Sequence, residues 1–116
     1  MPPEFNPDGK NFVDYGLGGS LKAKGVSGYE NQLGKFKVPT LRNIAVAPSY
    51  SHNGYFKTLL EVVHFYNTRD VGKWPAPEVP MNVNKTDLGN LGLSPQEEKD
   101  IVSFLMTLTD GYVRPR

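Results

Sequence analysis

The chain contains 116 residues, a length that fits one small domain with a modest core. Its net charge is only +1, from 13 basic and 12 acidic residues, and this balance argues against a nucleic-acid or membrane-surface footprint. No run approaches the ~18 apolar residues of a membrane span. The complete absence of cysteine excludes disulfides, thiolate metal sites and thioether attachment of a cofactor through the chain's own residues.

The composition also predicts an incomplete core. Hydrophobic residues make up 38% of the chain, while twelve Gly and ten Pro indicate long loops. Such a chain is expected to need a cofactor or a partner in its core. The polar, proline-rich start, MPPEFNPDGK, lacks an apolar export segment, which is expected either of a cytoplasmic protein or of a piece of a longer one.

Residues 1–37 carry no sustained hydrophobic period. Turn-forming residues recur in them, most densely in the sequences NPDG at 6–9 and GLGG at 16–19. We therefore expect an extended, partly ordered N-terminal arm that aromatic side chains such as Phe12 and Tyr15 pin to the core. Residues 38–113 would then form the body of the domain, and residues 114–116 a tail.

The body of the domain begins with a candidate short helix. The sequence PTLRNIAV at 39–46 has Pro39 in the first helical position, and Leu41 and Ile44 fall on one face. Pro48 ends this helix. A tight loop follows at 49–54, where Asn-Gly supplies a turn with positive φ.

Two longer helices are predicted by their capping residues. The first spans residues 58–67, with Thr58 and Glu61 as a capping box, and its apolar stripe ends at Tyr66. The second spans residues 94–108, with Ser94 as N-cap. Between them lies a long proline-rich loop anchored by Trp74, and loops of this length are often functional. The pattern predicts a mostly α domain with long irregular loops and little or no sheet.

The chemistry-bearing residues are few, and composition alone favours an ordinary role for each. His52 and His64 are not at a zinc spacing and have no cysteine to complete a ligand set. His52 is most simply a loop histidine bonded to backbone, and Tyr66 a core tyrosine with one hydrogen-bond partner. Met81 is expected to pack, and Arg42 to form a surface salt bridge.

These interpretations change when the segments are taken together. The sequences VPTLRNIAVAPSYSHNGYFKTLLEVVHFYN and LGLSPQEEKDIVSFLMTLTDGY resemble the C-terminal haem domain of bacterial di-haem cytochrome c peroxidases and MauG-like proteins. That family shows a P-x-L-R-N segment, an A-P-Y-x-H-[DNS]-G loop, a T-L-x-E-V-V helix and a last helix with a similar pattern. The match covers residues 35–112, and its ordered motifs make it specific.

The resemblance implies a cytochrome c-like fold of which this chain is the downstream half. In the family, a C-x-x-C-H motif upstream of the matched segment attaches haem c covalently, and its histidine is the proximal iron ligand. This chain lacks that motif. The haem would therefore be attached through residues not in this chain, and the remainder of the parent haem protein would be its first partner.

The resemblance also implies an axial iron ligand on the helix that follows the histidine loop. This ligand is methionine in the peroxidases and tyrosine in MauG-like proteins. Counting along the matched helix from His52 gives Tyr66 at that position, and a phenolate on iron is chemically reasonable. Leu59, Val62 and Val63 would share its haem-facing side. Met81 is the rival ligand if the helix register differs.

Two further residues acquire roles from the resemblance. His52 matches the loop histidine near the haem edge and would form hydrogen bonds there, and Arg42 matches an arginine that binds a haem propionate. Family members often bind calcium through backbone carbonyls just before this histidine. Here Pro48 is displaced by one residue from the family pattern, which weakens the expectation of calcium at Ala47 and Ser49.

The parent protein is thus expected to be a periplasmic oxidoreductase of the peroxidase type, with electron transfer through haem iron and a redox protein or small electron donor as partner. This chain alone is not expected to be active, and without haem it would be loosely folded, domain-swapped or homo-oligomeric. The alternatives are a haem-free binding or scaffold module with cytochrome-like helices, and a non-covalent haem binder that uses His52 or His64.

Overall fold

The computed structural model describes residues 12–111. The α-helices of this part of the chain are α1 (Gly16–Ala23), α2 (Leu59–Thr68) and α3 (Pro95–Thr107). Two 3-10 helices, Tyr29–Gln32 and Ile44–Val46, interrupt the irregular segments between them. Within residues 12–111 the only β pairing is a pair of isolated bridges, so the prediction of a mostly α fold with long loops is confirmed.

Helices α2 and α3 begin where the capping residues predict. The hydroxyl of Thr58 accepts from the backbone N–H of Glu61 at 3.2 Å, and the Glu61 carboxylate accepts from the backbone N–H of Thr58 at 3.0 Å. Ser94 and Glu97 make the equivalent pair of bonds, at 3.3 and 2.8 Å. Both capping boxes are therefore present, and each satisfies two otherwise unpaired N–H groups.

The core lies between α2, α3 and the loop that precedes α2. Its buried centre consists of Tyr50, Phe56 and Leu59. The predicted anchor Trp74 packs against this centre, with its indole ring 6.0 Å from the ring of Phe56, and donates from Nε1 to the Thr68 hydroxyl at 2.9 Å. The long loop after α2 is thus fixed to the core at one aromatic residue, as predicted.

The prediction of an extended N-terminal arm is wrong for Gly16–Ala23, which forms α1. Tertiary contacts explain this helix better than its own sequence does. The N–H of Leu17 donates to the carbonyl of Lys35 at 2.9 Å, across the fold, while one local bond joins the N–H of Gly16 to the Asp14 carboxylate at 2.8 Å. Gly18 is buried against the backbone of Leu33, where a Cβ would overlap. Residues 1–11 of the predicted arm lie outside the described part.

The predicted helix at 39–46 is also wrong in extent, because only Ile44–Val46 forms a 3-10 turn. Asn43 has a left-handed backbone, with φ of 60°, which interrupts an α-helix. Its amide Oδ1 accepts from the N–H of Asp110 at 2.8 Å, and its own N–H donates to the carbonyl of Leu108 at 3.0 Å. Bonds to the end of α3 therefore replace the helical bonds that the sequence predicts.

Candidate functional site

Tyr66 lies in the last turns of α2 and is 46% exposed. Among residues 12–111 no hydrogen-bond partner meets its hydroxyl, so the interpretation of Tyr66 as a bonded core tyrosine is wrong. Leu59 lies about two turns earlier on the same side of the helix. The core covers Leu59 and Val63, which are 8% and 6% exposed, and does not reach Tyr66. Leu59 and Val63 were predicted to share the haem-facing side of the helix with Tyr66, but both face the chain's own core.

The backbone around Tyr66 is held by the segment that leads into α3. The N–H of Gly89 donates to the Tyr66 carbonyl at 2.6 Å, and the N–H of Leu91 donates to the Asn67 carbonyl at 3.0 Å. The N–H of Asp70 in turn donates to the Gly89 carbonyl at 2.8 Å. The last carbonyls of a helix normally have no partner within it, and here the segment at 89–91 supplies one.

A polar cluster, formed by the buried Asn67 and Glu98 and the partly exposed His64, joins α2 to α3 beside Tyr66. Glu98 is 7% exposed; its Oε1 accepts from Asn67 Nδ2 at 2.6 Å and lies 2.9 Å from His64 Nδ1. Burial alone would raise the pKa of Glu98, but the hydrogen bonds from Asn67 and His64 outweigh it, and the pKa lies below its usual value. Glu98 is therefore an ionised carboxylate inside the helix pair.

Sequence reasoning did not find this cluster. The side chain of His64 is 52% exposed, so this member of the cluster borders solvent. The available signal was the spacing: His64 and Asn67 are three residues apart and so lie on one face of α2. The ring of His64 also borders an open cleft of about 420 Å³, which is lined by His64, Thr68, Val71, Gly72, Lys73 and Trp74.

His52 lies at the tip of the predicted tight loop. Reciprocal backbone bonds between Tyr50 and Phe56, at 2.8 and 3.3 Å, close this loop, and Gly54 has the positive φ that was predicted. The His52 ring is exposed and stacks on Phe36 with centroids 4.1 Å apart. The stacking leaves the ring nitrogens at its edge available for hydrogen bonds.

Arg42 and Met81 lie on exposed irregular segments, and Met81 is 44% exposed. Within residues 12–111 no hydrogen bond, ion pair or ring contact joins any two of His52, Arg42, Tyr66 and Met81. In the same part of the chain no three His, Asp or Glu side chains group as a metal site. The sequence-predicted residues are thus all accessible, but they do not form a closed site by themselves.

The possible iron-binding side chains of this chain are chemically suited to one side of a haem site. A phenol oxygen is a suitable ligand for ferric iron, and the Tyr66 hydroxyl is exposed and unbonded among the described residues. The chain has no cysteine, so covalent attachment of haem c requires residues elsewhere. None of the helices in residues 12–111 is long and apolar enough to cross a membrane.

Comparison with known proteins gives close relatives for most of the chain. The methylamine utilization protein MauG of Paracoccus denitrificans is 38% identical over an alignment of 120 positions, gaps included, and the alignment covers 92% of this chain and 30% of MauG. The cytochrome-c peroxidase IdrP1 of Denitromonas iodatirespirans is 45% identical over 78 residues, which cover 66% of this chain and 18% of that protein. No protein-family model matches.

The structure has a similar neighbour among solved proteins. This is a tyrosine-to-methionine variant of the diheme peroxidase BthA from Burkholderia thailandensis, with a TM-score of 0.77 and 28% identity. The match covers 87% of this chain and 28% of that one, and it confirms the cytochrome c-like fold class. The chain spans less than a third of the length of these relatives. It therefore belongs to the family of MauG and the di-haem cytochrome c peroxidases, of whose members it matches one segment.

Proposed function

We propose that this chain supplies the distal wall of one haem pocket in a di-haem protein of the MauG and peroxidase type, with Tyr66 as axial ligand of the haem iron. The observation that carries the proposal is the exposed Tyr66 hydroxyl, without a hydrogen-bond partner among residues 12–111, at the end of an otherwise well-anchored helix. A phenol oxygen in such a position is accessible to a metal ion.

The other predicted residues would support the same haem. Arg42 has an exposed guanidinium, which would bind a propionate through two parallel hydrogen bonds. His52, held flat against Phe36, would donate a hydrogen bond at the haem edge. Tyr66 would release its hydroxyl proton on coordination, and the resulting phenolate favours ferric iron over ferrous iron. When bound, the haem supplies one-electron redox chemistry.

The family relationship supports the wider role. The chain would act within a larger oxidoreductase that uses peroxide for oxidation, as the name of its peroxidase relative suggests. A periplasmic location and a role in electron transfer are what the family resemblance implies. The neighbouring solved structure exchanges tyrosine for methionine, the same two residues that alternate as axial ligands in the family resemblance. Met81 remains the rival ligand.

The test is a titration of the purified chain with hemin, followed by visible spectroscopy. We expect a Soret shift together with a phenolate-to-iron charge-transfer band, because tyrosinate ligation produces both. Tyr66→Phe should abolish the charge-transfer band. Tyr55→Phe is the matched control, since Tyr55 is a second phenol that is also 46% exposed, and it should leave the spectrum unchanged.

Each contrary result identifies a different error. A shift that survives Tyr66→Phe but is lost in Met81→Leu would assign the iron to Met81. A shift that is lost on substitution of His52 or His64 would indicate a histidine-ligated, non-covalent haem binder. No spectral change at all would favour a haem-free binding module.

A further inference from the structure

We propose that Asn67 and Glu98 are positioning residues that hold the C-terminal turn of α2 so that Tyr66 is presented to the iron in one orientation. This inference rests on the proposed function, because it assigns a purpose to a rigid helix end that carries an exposed tyrosine.

Asn67 is the most buried of the polar residues, at 4% exposure. Its side-chain amide bonds to the backbone of Leu93 in both directions, as donor at 2.9 Å and as acceptor at 3.0 Å. The same amide nitrogen donates to Glu98 Oε1. Asn67 therefore ties the end of α2 to the segment just before α3 and to α3 itself.

Glu98 is the residue of α3 in this hydrogen-bonded cluster. Its carboxylate accepts from Asn67 on one side and meets the imidazole of His64 on the other, at 2.9 and 3.2 Å. A buried carboxylate that loses such partners is left with a large desolvation cost, so removal of Asn67 or His64 should destabilise the packing of α2 on α3. Residues on two successive turns of α2 are thereby fixed to one point on α3.

The backbone at Tyr66 and at the residue after it is fixed by the same connection. Gly89 and Leu91 donate to the carbonyls of Tyr66 and Asn67. Gly89 has a φ of 103°, and a Cβ there would overlap the Asp70 carboxylate, so this close approach depends on glycine. Since Asn67 holds Leu93, two residues beyond Leu91, loss of the Asn67 amide should also loosen these backbone bonds.

A rigid helix end matters for ligation because helix C-termini otherwise fray. If the ligating orientation of Tyr66 is occupied only part of the time, the apparent affinity for iron falls by that fraction. Ligand residues are effective when neighbouring hydrogen bonds hold them before binding. The hydrogen bonds of Asn67 and Glu98 would hold the end of α2 in this way, although neither residue is proposed to contact the iron.

The test combines hydrogen exchange on the hemin-free chain with hemin titration. In Asn67→Ala, we expect the amides of Gly89 and Leu91 to exchange at least about tenfold faster, and the hemin dissociation constant to rise by about the same factor. The charge-transfer band should return at saturating hemin, because the tyrosine itself is intact. Glu98→Ala should behave similarly, and the conservative Glu98→Gln should recover most of the affinity.

Asn82→Ala is the matched control. Asn82 also donates its amide to two backbone carbonyls, those of Glu30 and Leu33, both at 3.0 Å, but these partners belong to the segment at 30–33 and not to α2, α3 or the connection at 89–93. It should lower global stability without changing exchange at Gly89 and Leu91 relative to the rest of α2.

The positioning role is overturned if Asn67→Ala leaves both the exchange rates and the hemin affinity at their wild-type values, or if Asn82→Ala changes them equally. A spectrum that is indifferent to Tyr66→Phe would refute the ligand assignment instead. The exchange rates at Gly89 and Leu91 would still decide whether Asn67 and Glu98 hold the end of α2.

Discussion

Tyr66 and Asn67 are neighbours in sequence but have opposite environments, at 46% and 4% exposure. One residue on a helix turns the side chain by about 100°, so the outward and inward positions are adjacent. The outward residue is the one proposed to bind the iron, and the inward residue is the one proposed to hold it in position. Substitutions at these two positions should therefore have separable effects, one on ligation and the other on the stiffness of the helix end.

The ionised state of Glu98 predicts how stability depends on pH. Its folded-state pKa lies below the ordinary value of 4.5 because the Asn67 and His64 hydrogen bonds outweigh the opposing effect of burial. The unfolded chain then binds the proton more readily, so this contribution is present above about pH 4.5 and is lost as the pH falls through the folded pKa. The free energy of unfolding in urea, measured from pH 7 to pH 3, should fall less steeply in Glu98→Gln.

The control for this experiment is Glu30→Gln, at an exposed glutamate of the first 3-10 helix. An acid profile that is equally steep in wild type and Glu98→Gln would show that the buried carboxylate does not carry the pH dependence. A profile flattened equally by Glu30→Gln would lead to the same conclusion.

At the scale of elements, local sequence chemistry predicts α2 and α3 but not α1. The two capping boxes lie within four consecutive residues each, so they can be recognised without the fold. The sequence GLGGSLKA has four residues of good helix propensity among its glycines, and its helix depends on Lys35 and Leu33 from a later segment. Contacts with residues from a later segment cannot be recognised from the sequence of the helix itself.

The same limit applies to the candidate site. Tyr66 becomes a candidate from the sequence because the histidine loop and the helix lie in one continuous motif, and its role stays a prediction. The partner of Asn67 is 31 residues away, and the bonds that interrupt the predicted helix at Asn43 come from 67 residues away. Their spacing along one helix puts His64 and Asn67 on one face, but only the packing of α2 on α3 brings Glu98 between them.

The N-cap of α3 offers a test of how much local chemistry contributes. Ser94→Ala removes the hydroxyl that accepts from Glu97, and it should lower the free energy of unfolding by about 1 kcal/mol. Ser103→Ala is the matched control: its hydroxyl bonds to the Lys99 carbonyl in the middle of the same helix, where alanine is the better helix former. Equal losses in urea unfolding would contradict the capping argument.

Gly18 tests the tertiary origin of α1. Gly18→Ala raises intrinsic helix propensity but places a Cβ into the backbone of Leu33, so it should destabilise α1 and expose the segment at 29–34. Hydrogen exchange at Leu17 and Gly34, whose N–H groups donate to the carbonyls of Lys35 and Tyr15, would report the loss. Slower exchange in the variant would show that α1 is stabilised by propensity and not by this close contact.

At the scale of the whole molecule, the core is open. Among residues 12–111 no large side chain is less than 2% exposed, whereas Phe104 and Met106 are each 59% exposed. Surface apolar residues are common singly, but Ile101 and Phe104 lie three residues apart on the outer side of α3. This openness agrees with a segment that spans less than a third of its relatives and that is proposed to face a haem and further protein.

An uncovered helix face of this kind predicts reversible self-association of the isolated chain. Burial of one Phe104 side chain contributes about 1.5–3 kcal/mol, so Phe104→Ser should weaken the association at least about tenfold in sedimentation velocity over a range of concentrations. Val26→Ser is the control, because Val26 is a 44% exposed apolar residue next to α1, away from this face. A single monomeric species at every concentration, or equal weakening by both variants, would show that the outer side of α3 is not adhesive. Saturation with hemin should leave the association intact if α3 is the contact, since Tyr66 and not Phe104 is the residue proposed to face the haem.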